Sequence, residues 1–198
     1  IQQAERTGLH LRPTSLSRQR SYEGWIISQS VNKPKEPRHY GWYDLGVRNK
    51  PDFVWSDVYN DRYAVYETNQ TWGDKRFFYI TNKDKKSNSI LQAYLNSTII
   101  PLLIEIDGIT NLGEGAIYTN VYWLQKLLVP TVENIKGDIA KAVKDLGKRE
   151  IKSIFEEIGA NTSLEVNITK VLSDRLALDK IVMSEILGLN EDEQLEVY

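Results

Sequence analysis

The sequence predicts an α+β fold: a small, mostly antiparallel twisted sheet with irregular N-terminal loops, followed by a helical C-terminal part. Three observations predict it. Short aromatic and β-branched runs recur about every 10–14 residues between 39 and 80. A longer apolar periodicity of helical spacing follows, and beyond Pro130 the chain becomes charged, with helix start and stop signals.

Residues 1–37 hold Pro13, Pro34 and Pro37 with scattered Ser and Arg, and show little periodicity. Strand-like runs then follow: His39–Leu45, Phe53-Val54-Trp55, Arg62–Tyr66 and Phe77–Ile80. Ser87 is placed to cap a helix whose face carries Leu91, Tyr94, Leu95, Thr98, Leu102 and Ile106, a stripe that reads as core. Pro101 is expected to kink that helix or split it. A loop, Thr110–Ala116, leads to a β-prone run, Ile117–Tyr122. Helices are expected over Ile135–Leu146, Glu150–Ile158 closed by Gly159, and Asp174–Leu187 closed by Gly188. Asn190 with Glu193 has the spacing of a capping box and opens a last helix. The expected division is 1–130 as one domain and 131–198 as a helical part packed on it or on a further domain.

Composition excludes several classes of function. With 41% hydrophobic and 26% charged residues, the 198-residue chain is of ordinary globular character. It has no cysteine, so disulfides, thiolate metal sites and cysteine catalysis are ruled out. His10 and His39 are too few for a typical zinc site. The longest apolar run, Ile99–Ile106, is interrupted by Pro101 and Glu105 and falls short of the roughly 20 residues a membrane span needs. No signal-peptide pattern opens the chain, and its start at Ile1 without Met reads as a piece of something longer.

The net charge of −2 hides an asymmetry. Residues 1–90 carry 15 Lys/Arg against 10 Asp/Glu, and residues 91–198 carry 10 against 17. Four of the five Trp lie in the basic half. A basic, aromatic-rich half beside an acidic one fits nucleic-acid contact through one face. The same counts also fit an unevenly charged solvated surface.

Catalytic signatures are missing. The chain has no Gly-rich nucleotide or phosphate loop and no two adjacent prolines. The pairs Asp57/Asp61 and Glu156/Glu157 read as solvated surface.

Three stretches nevertheless resemble the C-terminal target-recognition region of N6-adenine DNA methyltransferases of restriction-modification systems, the type II and fused methylase-endonuclease kind. The first is L-N-S-T-I-I-P-L-L-I-E-I-D-G-I-T-N-L-G-E-G-A, Leu95–Ala116, continued by Trp123–Pro130 in place of a D-L-x-K-L-x-V-like segment, with Trp where Asp is common. The second, Asp174–Tyr198, is similar to a D-R-x-x-L-D-x-I-V-x-x-x-L-G-L helix pair. A looser one joins Gly8–Thr14, Trp42–Gly46 and Lys50–Trp55. His10 falls in it and is given no role. Residues 15–37 match nothing in the family, as expected of a segment that varies with the DNA sequence read.

The resemblance implies a module that reads double-stranded DNA and presents an adenine to a catalytic methyltransferase domain elsewhere in the polypeptide. S-adenosylmethionine would bind that domain, and this region would hold no cofactor. A cytoplasmic, prokaryotic setting follows from the same family, with no membrane partner. DNA contact is expected from Arg12, Arg18, Arg20, Lys33, Lys35, Arg38, Trp72, Lys75 and Arg76. Trp42, Tyr43, Trp55 and Phe78 are read as core. Asn111, Gly113, Glu114 and Gly115 form a loop that either approaches phosphate or the catalytic domain closely, or is a turn needing positive φ twice. A second reading makes the chain a protein-interaction module whose acidic helices dock a specificity or nuclease subunit.

Overall fold

The computed structural model describes residues 50–68, 76–110, 113, 115–131 and 135–198. From Pro51 to Tyr59 every second residue is buried, the period of a half-covered strand. This extended stretch contains β1 (Phe53–Ser56) and β2 (Val58–Tyr59), and it changes sheet at Asp57. β1 is the middle strand between β3 (Val65–Glu67) and β4 (Phe77–Ile80), antiparallel to both, with Trp55 opposite Val65 and Phe78. β2 pairs instead with β5 (Ile117–Tyr118), Tyr59 facing Ile117. Backbone bonds from Asp57 N–H to the Arg76 carbonyl (3.1 Å) and from Thr119 N–H to the Asp57 carbonyl (2.9 Å) join the two sheets at the switch. The sheets are small and antiparallel and helices make up most of the rest, so the described residues have the α+β class that the sequence predicts.

The helical layer starts earlier than Ser87. Asp84 caps a 3₁₀ turn, Lys85–Ser87, by accepting from the Lys86 N–H, and Ser87 donates back to the Asp84 carbonyl instead of capping. α1 (Asn88–Leu95) then runs to a break at Asn96-Ser97-Thr98, after which α2 (Ile99–Asp107) leaves at 64°. The expected split is present, but Pro101 does not cause it. Pro101 sits in the first turn of α2, where its missing N–H would have had no partner in any case. The bend also ends the expected stripe: α2 buries Ile100, Pro101 and Ile104, while Ile106 is 67% exposed.

The run Ile117–Tyr122 is a strand for two residues only. Asn120 then accepts from the Trp123 N–H (2.9 Å) and starts α3 (Val121–Lys126), so the cap overrides the β preference of Val121 and Tyr122.

Further along, caps set the boundaries. α4 (Ile139–Leu146) is capped by Asp138, which accepts from the Lys141 N–H, and its first residue comes four after the expected start at Ile135. α5 (Ile154–Ile158) starts from a capping box, Ser153 with Glu156, and not at Glu150. The expected helix over 174–187 is α6 (Ser173–Lys180) continued by a π-helical turn, Ile181–Ile186. α7 (Glu191–Val197) carries the Asn190–Glu193 box that its spacing predicts, with bonds of 3.0 and 2.8 Å.

The core joins sheet and helices. Phe53 and Trp55 from β1, Ile100 and Ile104 from α2, and Leu178 and Val182 from the α6 region are all essentially inaccessible. α4 packs on both α1 and α6, which places these two helices of the 135–198 segment on the same core. Trp55 lies in the core as expected and meets Trp123 edge-on at 6.0 Å, while Phe78 is partly buried against it. Trp42 and Tyr43, and the strand expected over 39–45, lie outside the described residues.

Gly159 closes α5 at φ +68°, and a Cβ there would meet the Lys170 carbonyl oxygen at 2.5 Å. Gly113 has φ +79° with open space around it. Gly159→Ala should therefore lower unfolding stability by about 2 kcal/mol or more, and Gly113→Ala by about 1 kcal/mol, which is the cost of the left-handed backbone alone. Urea unfolding of the two variants checks the difference.

Candidate functional site

Three side-chain arrangements lie close to the sequence motifs. The first is a buried polar cluster at the α1–α2 break. Asp179 of α6 is fully buried and accepts from the Thr98 backbone N–H (2.9 Å) and the Thr98 hydroxyl (2.6 Å). The Tyr198 hydroxyl donates to the same carboxylate at 3.1 Å. One turn earlier, Arg175 donates to the Asn96 carbonyl and forms an ion pair with Glu157 at 2.5 Å. Arg149 bridges Glu157 (2.9 Å) and Asp174 (2.6 Å). Asn96 in turn pairs through its side-chain amide with both the N–H and the carbonyl of Val65 in β3, each at 3.0 Å.

Glu157 was expected to be solvated, and Asp57 likewise; the structure corrects both. Glu157 is 2% exposed, whereas its neighbour Glu156 points out as the capping-box carboxylate. Adjacent helical residues face different directions, so only one of the pair can serve each role. Asp57 is buried at the sheet switch beside Arg76. Burial alone would push the Glu157 carboxyl up, but the hydrogen bond from Arg149 and the charge of Arg175 outweigh it and hold the group below its usual range. Burial pushes Asp179 the other way, above its usual range, against the influence of Arg175 and Thr98.

The second arrangement is a cleft of about 600 Å³ between α2, β5 and α3, lined among others by Leu103, Asp107, Tyr118, Trp123 and Leu127. The Tyr94 hydroxyl, also in its lining, donates to the Leu128 carbonyl at 2.9 Å. Its surroundings are unusually apolar for a surface: Tyr122 is 76% and Leu128 85% exposed, and Val121, Val129 and Ile106 are also open.

The third is the start of β4. Arg76 is half-exposed, lies 3.2 Å from the Asp57 carboxylate, and stacks over the Tyr118 ring at 5.9 Å. Of the basic residues expected to meet DNA, Arg76 is the one within the described residues. Arg12, Arg18, Arg20, Lys33, Lys35, Arg38, Trp72 and Lys75 lie outside them. In the glycine loop, Asn111 and Glu114 also lie outside. Gly113 and Gly115 have φ +79° and +75° with open space where a Cβ would be. Positive φ is thus what requires glycine at these two positions, as the turn reading has it.

Among the described residues, no three His, Asp or Glu side chains converge as a metal site, and no single helix is long and apolar enough to cross a membrane. Comparison of the chain with family models, with curated proteins and with solved structures finds no match.

The Arg149–Glu157–Arg175 cluster was missed at the sequence level. Its one signal was the Ser153-Ile154-Phe155-Glu156 capping box, which assigns Glu156 outward and leaves Glu157 to turn in.

Because Glu157 sits below its unfolded value of about 4.3, its contribution is present above that pH and is lost as pH falls through the folded value. Asp179, shifted up, acts in the opposite sense, so a variant comparison isolates Glu157. Thermal unfolding from pH 7 to 3 should show Glu157→Gln about 3 kcal/mol less stable at neutral pH, because the Arg175 charge stays buried without its partner. The gap should close as the wild type loses stability in acid.

Proposed function

We infer that this chain is the DNA-target-recognition module of an adenine-specific DNA methyltransferase of a restriction-modification system. It would orient a double-stranded DNA site so that the target adenine enters a catalytic domain elsewhere in the same polypeptide. S-adenosylmethionine binding and methyl transfer belong to that domain, in a cytoplasmic, prokaryotic setting.

The observation that carries this reading is the convergence of the family-like stretches. Leu95–Ala116 and Trp123–Pro130 are six residues apart in sequence, and Asp174–Tyr198 lies 43 residues further on. Asp179 holds Thr98, and Leu95–Ala116 and Trp123–Pro130 together line one cleft, with Tyr94, just before the first stretch, bonded to Leu128. The basic, aromatic-rich first half supplies the charge for phosphate contact, and Arg76 lies beside an aromatic ring at the start of a strand.

A second reading has its own support. The exposed Tyr122 and Leu128 beside the cleft form the kind of apolar surface that docks protein. In the first reading this face meets the catalytic domain, and in the second a separate specificity or nuclease subunit.

Fluorescence-anisotropy titration with random-sequence duplex DNA tests the choice. Binding that weakens steeply between low and physiological salt is expected of a module that contacts several phosphates. Arg76→Ala should weaken it. No binding even at low salt sinks DNA recognition by the isolated chain and leaves protein docking as the better reading.

A further inference from the structure

The acidic half of the chain contains a basic stretch. Residues 136–152 hold six Lys/Arg against three Asp/Glu, a net of +3, while the rest of 91–198 has four against fourteen. Within this stretch Lys141 and Lys144 stand one turn apart on α4, and Lys148 follows just past its C-cap, Gly147. All three are exposed. They surround a single carboxylate: the hydrogen bond from Lys148 (2.6 Å), then the charges of Lys148, Lys141 and Lys144, hold Asp145 below its usual range.

We propose that Lys141, Lys144 and Lys148 are a second phosphate-contacting face, engaging the backbone of the bound DNA away from the base-reading loops. The inference rests on the DNA-recognition reading and extends it into a half of the chain whose overall charge argues against such contact.

Geometry favours nucleic acid over the other polyanionic partner, a lipid surface. An interfacial helix needs a free apolar face. α4 has spent its own: Ile139 and Ala142 are buried, and Val143 and Leu146 pack against the same core. What remains outward is charge. Lys141 and Lys144 are separated by a helical rise of roughly 4.5 Å, close to the axial spacing of successive phosphates on one strand, and Lys148 extends the row beyond the helix end. The C-terminal end of α4 borders β3 across a cleft of about 390 Å³, lined by Tyr66 and Glu67 on one side and Val143, Leu146 and Gly147 on the other.

The test uses the full chain with all three lysines changed, Lys141→Gln, Lys144→Gln and Lys148→Gln, and the conservative triple Lys→Arg variant beside it. Affinity for a random-sequence duplex is followed across salt concentrations, with urea unfolding to check the fold. The slope of log affinity against log salt should become shallower by about 2–3 in the Gln variant and stay near wild type in the Arg variant. Wild-type binding with an unchanged slope in the Gln variant overturns the lysine face and leaves DNA recognition standing. No DNA binding by the unsubstituted chain overturns both. Lysine-dependent binding to phosphatidylserine vesicles, with none to DNA, replaces the proposal with a membrane surface.

Discussion

The bond on which the rest of this structure depends is the one between Asp179 and Thr98. A helix that breaks in the interior exposes backbone N–H groups that must find partners, and burying them unpaired costs about 1–3 kcal/mol each. Here the carboxylate of Asp179 accepts both the N–H and the hydroxyl of Thr98, the residue preceding α2. One turn back along α6, Arg175 takes the carbonyl of Asn96, and the Asn96 side chain ties the backbone of β3. A single helix thereby fixes the angle between α1 and α2 and the position of a sheet edge. The Arg149–Glu157–Asp174 bridges balance the charges this arrangement buries. Such a network adds little net stability over an apolar equivalent, because desolvation offsets most of the attraction. Its effect is geometric: shifting α6 along its axis would leave several charges and backbone groups without partners.

The D-R-x-x-L-D stretch places Asp174, Arg175, Leu178 and Asp179 on α6, and each has an interior role: an ion pair to Arg149, the Glu157 and Asn96 contacts, a fully buried core side chain, and the clamp on Thr98. The motif is scaffold. The surface it supports lies on other elements, the cleft by α3 and the outer face of α4, and the interior network sets how those elements are presented.

Periodic features were legible in the sequence, and reversals of direction were not. Phe77–Ile80 is a strand to the residue, and the Asn190–Glu193 box marks the last helix, because each signal is complete within a few residues. The α1–α2 break was assigned to Pro101 because proline is the familiar local cause. The actual cause, Asp179, is more than 80 positions away, so no local pattern carries it. Val121 and Tyr122 suggest a strand until the Asn120 cap is taken into account. Glu157 shows the same limit on charge: its solvated appearance reverses only once Arg149 and Arg175 are seen beside it. Of the site, the two positive-φ glycines could be anticipated from residue type. The apolar cleft could not, since its walls come from α2, β5 and α3 and are brought together by the bend.

The most direct test of the clamp is a double-mutant cycle between Thr98→Val and Asp179→Asn, measured by urea unfolding. Direct contact in a buried site predicts a coupling energy of about 1–3 kcal/mol, so that the double variant is markedly less destabilised than the two single effects combined. Additivity within about 0.3 kcal/mol would contradict the account, because the two residues would then act independently and the angle of the helix pair would have to be held by apolar packing alone.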